Sequence, residues 1–140
     1  MRYLLTLDGV PVGRFLLPDP APARCACRLE PLPGFIGSLL APHALRIGEW
    51  IGLTHGPRAR PSPRQRRMGE ALRMTRPRWR SRLGVLNRWG VHVPAAGVEV
   101  IWFPGRDPFV TLDLRYSLGQ VGARHRSRRI AGGNIIVPAA

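Results

Sequence analysis

The sequence predicts an α+β fold: a small antiparallel sheet built from an N-terminal and a C-terminal hairpin, one or two helices packed against it, and a basic, disordered C-terminal tail. Three observations carry this. Asp8-Gly9 stands between two apolar runs, residues 98–116 alternate in polarity on either side of a Pro-Gly turn, and from Phe35 to Leu53 apolar residues recur at helical spacing.

The first hairpin comes from the Asp-Gly pair, because a two-residue type I′ turn needs positive φ at both central positions. Simple pairing across it sets Leu7 opposite Val10, Leu5 opposite Val12 and Tyr3 opposite Arg14. Pro11 then falls opposite Thr6 with its missing N–H directed outward, which marks the second strand as a sheet edge at that point. After the loop bearing Pro18, Pro20 and Pro22, Arg24 to Leu29 reads as a short strand ended by Glu30-Pro31-Leu32-Pro33-Gly34.

In the next stretch Ile36, Leu40, His43, Ile47, Trp50 and Ile51 share a helix face, and Pro42 suits a first-turn position. Gly48 and Gly52 weaken this helix, each by roughly 1 kcal/mol relative to alanine. Ser62-Pro63-Arg64-Gln65 has the form of a capping box with proline at the first helical position. Met68, Ala71, Leu72 and Met74 follow on one broad arc, but Arg64 and Arg67 fall inside it, so the helix is expected to end near Arg76.

Beyond Arg76 the chain reads as extended. Arg76, Arg78, Arg80 and Arg82 occupy alternate positions, so an extended backbone would line their guanidinium groups on one face about 6.6 to 6.8 Å apart, with Trp79 beside them for stacking. The plainer reading of the same residues is a solvated, disordered linker. Two further hairpins follow: Val85-Leu86 with Val91–Val93 around Asn87–Gly90, and Val98–Phe103 with Phe109–Tyr116 around Pro104–Asp107. Trp50, Trp89 and Trp102 are expected in the core or half-buried on the sheet.

Charge divides the chain. The net charge is +14 and every basic residue is arginine. Residues 1–54 and 85–117 are nearly neutral, whereas 55–84 and 118–140 carry almost all the excess. This gives one α+β domain over 1–117 with an Arg/Pro-rich insert at about 55–84, then a basic tail over 118–140. The periodic segments should build the globule and the arginine-rich ones should stay outside it. G+C-rich coding bias or a shifted reading frame would also write such an insert, but arginine remains charged and matches phosphate geometry whatever its origin.

Cys25 and Cys27 point to the same side of an extended strand, too close for an unstrained disulfide. Two free thiols, with no early apolar run long enough for a secretory signal, lead us to expect a cytoplasmic protein. The stretch 35–53 is long enough to span a membrane, but His43, Arg46, Glu49 and Pro42 within it exclude that reading.

No cofactor or metal is expected, since the two cysteines have no second pair and the four histidines share no ligand spacing. No serine lies in a Gly-x-Ser-x-Gly elbow and no glycine-rich phosphate loop precedes a helix, so no catalytic residue is assigned. The candidate nucleic-acid contacts are Arg64, Arg67, Arg76, Arg78, Trp79, Arg80 and Arg82 in the insert, and Arg124, Arg126, Arg128 and Arg129 in the tail. The first expectation is a non-enzymatic basic module that contacts nucleic acid through phosphates. An interaction module for an acidic protein partner is the alternative, docking through the sheet edge near Pro11 or the weak helix. The order of elements, together with the basic surface, resembles the small ribosome-dependent ribonuclease toxins at fold level. That resemblance implies a small ribonuclease as a third reading.

Overall fold

A computed structural model describes residues 1–54 and 60–114. The fold is α+β. Strands β1 (Arg2–Leu7) and β2 (Val10–Leu16) form the first hairpin, with Asp8 and Gly9 at φ 51° and 83°. These positive angles are what the type I′ turn requires.

The hairpin register differs from simple pairing. Leu7 faces Val10 and Thr6 faces Pro11, but the register slips between Leu5 and Thr6, so Leu5 meets Gly13, Leu4 meets Arg14 and Tyr3 meets Phe15. One extra residue in β2 flips every later side chain to the other face. Phe15 thereby turns inward beside Val12 and stacks on Tyr3 at 5.8 Å, and Arg14 turns outward to Glu30. Without the slip the sheet would bury Arg14 and expose Phe15.

The strands form two sheets rather than one. Strand β4 (Glu30–Pro31) flanks β2 at Gly13 and Arg14, and β5 (Leu83–Leu86) flanks β1, giving the order β4-β2-β1-β5. The short β4 leaves β2 at the sheet edge around Pro11, as the sequence indicates. Strands β3 (Arg24–Arg28), β7 (Phe109–Asp113) and β6 (Ala96–Ile101) make the second sheet in that order. Tyr3, Leu5 and Phe15 of the first sheet share one core with Cys25, Cys27, Val98, Val100, Val110 and Leu112 of the second. Both thiols are free and buried, and burial raises their pKa values.

The short α1 (Pro33–Ile36) places Phe35 in that core. Helix α2 (Leu40–Thr54) starts two residues before Pro42, which therefore sits in the first turn. Its stripe of Leu40, His43, Ala44 and Ile47 is buried. Among the described residues no helix is long and apolar enough to cross a membrane.

The arginine-rich segment is helical well beyond Arg76. Helix α3 (Pro63–Arg82) opens on the expected capping box: Ser62 Oγ accepts from the Gln65 N–H at 3.2 Å, and Gln65 Oε1 accepts from the Ser62 N–H at 2.7 Å. It then continues through Pro77 for another turn and a half, where an extended chain or a loose linker was expected. Pro77 lies on the exposed side, where water can take the carbonyl that proline leaves without its helical donor. Trp79 stacks on His43 at 5.2 Å, Arg76 and Arg80 reach Glu99, and Arg82 reaches Asp8, so tertiary contacts hold the turns that proline weakens.

The insert is therefore part of the globule. Leu72 joins Ile47 and Ile101 in a second core cluster on the helical side of β6. Strand β6 is consequently buried on both faces, with Val98 and Val100 toward one layer and Glu99 and Ile101 toward the other. Of the broad arc expected on α3, only Leu72 is fully buried, and Met74 is exposed.

After β5 the chain turns at Asn87–Gly90, and Val93 N–H donates to Val85 at 2.9 Å, as expected for that hairpin. Trp89 departs from expectation: it stands at the hairpin tip, 66% exposed. Residues 118–140, with Arg124, Arg126, Arg128 and Arg129, lie outside the described residues.

Candidate nucleic-acid interface

Helix α3 carries eight arginines and one acid, Glu70. The helix sorts them into two sets. Arg64, Arg76, Arg80 and Arg82 pair with carboxylates: Arg64 with Glu49 at 3.3 Å, Arg76 and Arg80 with Glu99, and Arg82 with Asp8. Arg66, Arg67, Arg73 and Arg78 are exposed and have no carboxylate partner among the described residues.

The paired set builds the platform. Arg76 Nε donates to Glu99 Oε2 at 2.7 Å and its Nη2 to Oε1 at 2.5 Å, while Arg80 Nη2 stands 3.5 Å from Oε2. Glu99 is 6% exposed, and the hydrogen bonds that its carboxylate accepts push the Arg76 pKa up. Asp8 accepts from Arg82 Nε at 3.1 and 3.0 Å, and its backbone N–H donates to the Arg82 carbonyl at 2.9 Å. The Arg82 hydrogen bonds hold the Asp8 carboxyl below its ordinary range.

The unpaired set supplies the free charge. Arg66 and Arg73 recur at a spacing of seven residues, and Arg80 continues it, so the three follow one stripe about 10.5 Å apart along the axis. That interval exceeds the Debye length of about 8 Å at physiological ionic strength, so their mutual repulsion is screened. With Arg76, Glu70, Gly69, Trp50 and Thr54 they line an open groove of about 610 Å³ between α3 and the end of α2. Arg67 and Arg78 occupy a separate flank of the helix, because eleven residues bring the wheel nearly back to its starting angle.

The expected face of Arg76, Arg78, Arg80 and Arg82 does not exist as such, since the helix spreads these side chains around its axis. Arg76 and Arg80 lie at the groove, Arg82 points to the β1–β2 turn, and Arg78 is free. Trp79 is half-buried, stacked on His43 and covered by the Arg82 guanidinium at 4.6 Å from the ring centre. It packs, partly buried, against the core.

Sequence reasoning passed over Arg66, Arg73 and Trp50. The seven-residue spacing of Arg66 and Arg73 was legible within a helix ending near Arg76. Only its continuation to Arg80 needs the helix carried past Pro77, and no spacing in the sequence places Trp50 beside them. It also passed over His43 with Glu99. His43 is 4% exposed with Nε2 unpartnered, and burial lowers its pKa to about 4. Glu99, 6% exposed, is buried as well, its carboxylate taken by Arg76 and Arg80. No group of three His, Cys, Asp or Glu side chains among the described residues gathers as a metal site would.

No family model, curated protein or solved structure matches this chain. Fold and surface together define a class: a small α+β protein that presents an arginine-rich helix on a two-sheet core.

Proposed function

We propose that this protein is a non-enzymatic module that holds nucleic acid through its phosphates, with α3 as the contact element. The observation that carries the reading is the set of four exposed arginines on α3 without carboxylate partners among the described residues, held on a helix whose other arginines anchor it. The helix fixes the backbone positions of these arginines, and the planar fork of each guanidinium matches the oxygens of phosphate. No cofactor enters this function.

Phosphate contact releases counterions, so affinity must fall steeply with salt. If five phosphates are neutralised, the log–log slope on duplex DNA is about −4.5, or roughly a 500-fold loss between 50 and 200 mM salt. Fluorescence anisotropy of labelled RNA and DNA across that range tests it, and binding that ignores salt would end the proposal.

The open edge of β2 at Val10 and Pro11, where Val10 is exposed, favours a second reading in which an acidic protein adds a strand there. Competition separates the two. Short RNA or DNA in excess displaces a nucleic-acid ligand from α3 and leaves a strand-edge partner in place. The ribonuclease reading has its own assay: cleavage of RNA by the purified protein, abolished in Arg80→Ala.

A further inference from the structure

The hairpin after β5 holds a large aromatic ring in water. Trp89 is 66% exposed, and the Arg88 guanidinium lies 4.3 Å from the ring centre. The display is built into the turn. Asn87 Oδ1 accepts from the N–H groups of both Trp89 and Val91, at 2.9 and 3.0 Å, and Gly90 takes φ 76° to bring the chain back. A tryptophan left to hydrophobic burial would fold against the protein; here the backbone around it is fixed with the indole outward.

We infer that Trp89 with Arg88 forms a stacking site for an unpaired nucleobase, which makes the preferred ligand a single strand. The inference rests on the phosphate-binding reading of α3 and names its ligand class. Three points support it. An indole offers its face to any base, and an adjacent guanidinium serves a phosphate or stacks itself. A base paired within a duplex has both faces covered, so only a single strand or an open loop can use the site. Trp89 is seven residues from Arg82 and so no more than about 31 Å from Arg78, the nearest unpaired arginine of α3, a distance that a stacked strand of roughly nine nucleotides spans.

The test compares the full chain with Trp89→Ala, a substitution at an exposed position that leaves the core untouched, on three probes. These are a 12-nucleotide single-stranded RNA, a strand of the same length with abasic positions, and a 12-base-pair duplex. The intact protein is expected to bind the RNA more tightly than the other two. Trp89→Ala should lose roughly tenfold on the RNA alone, with an unchanged salt slope. Trp89→Phe, which keeps a ring, should recover part of that loss. Equal binding of all three probes by both proteins would overturn the stacking site while leaving the α3 reading intact, and no binding of any probe would overturn both. A blue shift of Trp89 fluorescence on anionic phosphatidylserine vesicles, without any effect of Trp89→Ala on RNA, would assign the ring to a membrane surface and also overturn it.

Discussion

Arg76 grips both oxygens of Glu99 across a separation of 23 residues, and Arg80 stands one helical turn further along against the same carboxylate. A buried carboxylate between two guanidinium groups explains how a helix interrupted by Pro77 reaches Arg82, because the contact fixes the turns on either side of the proline. It also means that part of the charge on α3 serves the fold and is not available to a ligand.

Removing one member of this pair leaves the other stranded. Glu99→Gln and Arg76→Ala should each destabilise the protein by about 3 kcal/mol, read from urea denaturation midpoints at constant slope. The double substitution Glu99→Leu with Arg76→Met should recover most of the loss, since neither charge of that pair then remains buried alone.

His43 gives the protein an acid-sensitive step. Its folded pKa of about 4 lies below the ordinary 6.5 because burial disfavours the charged ring. The unfolded chain therefore binds a proton that the folded one refuses between these values. Stability from this residue is complete above pH 6.5 and declines as the pH falls toward 4, by on the order of 3 kcal/mol at most. His43→Phe, which keeps a ring against Trp79, should flatten that part of the stability–pH curve measured by thermal unfolding. The Asp8–Arg82 pair acts at lower pH, since the Asp8 carboxyl titrates below its usual 3.8.

Two glycines one turn apart on α2 should behave oppositely. A Cβ on Gly48 would lie 2.2 Å from the Trp102 carbonyl oxygen, where the backbone of the chain leaving β6 meets the helix, whereas a Cβ on Gly52 meets nothing within 4 Å. Gly48→Ala should cost about 2 kcal/mol or more by forcing that contact apart. Gly52→Ala should stabilise by about 0.5 to 1 kcal/mol, chiefly by restricting the unfolded chain. Differential scanning calorimetry of the two variants checks both signs.

On α3, the arginines that make ion pairs and those that do not should separate in binding assays. Arg66→Ala with Arg73→Ala should reduce the salt slope for single-stranded RNA by roughly 1.4, the equivalent of two phosphates, without changing the melting temperature. Arg64→Ala should have less effect on affinity, because Glu49 already holds that side chain. Glu70→Gln, which removes the one acid from the groove, should raise affinity a few-fold by anisotropy.

The sequence by itself determined the elements whose causes are local. Asp8-Gly9 allows the positive φ angles its turn needs, Ser62 and Gln65 cap α3 within four residues, and the alternation around Pro104–Asp107 writes the β6–β7 hairpin. It also located the segment that carries the charge of the candidate surface, although of the four unpaired arginines it singled out only Arg67 and Arg78. Only the tertiary structure decided where α3 ends, which of its arginines remain free, and the one-residue slip that turns Phe15 inward. Each of those depends on a partner distant in the chain or on a layer packed above the residue: Glu99 for Arg76, Asp8 for Arg82, Tyr3 for Phe15. Local pattern cannot specify such pairings, because the free energy that overrides a proline or shifts a register comes from burial and charge contacts that exist only once the two sheets and the helices have come together.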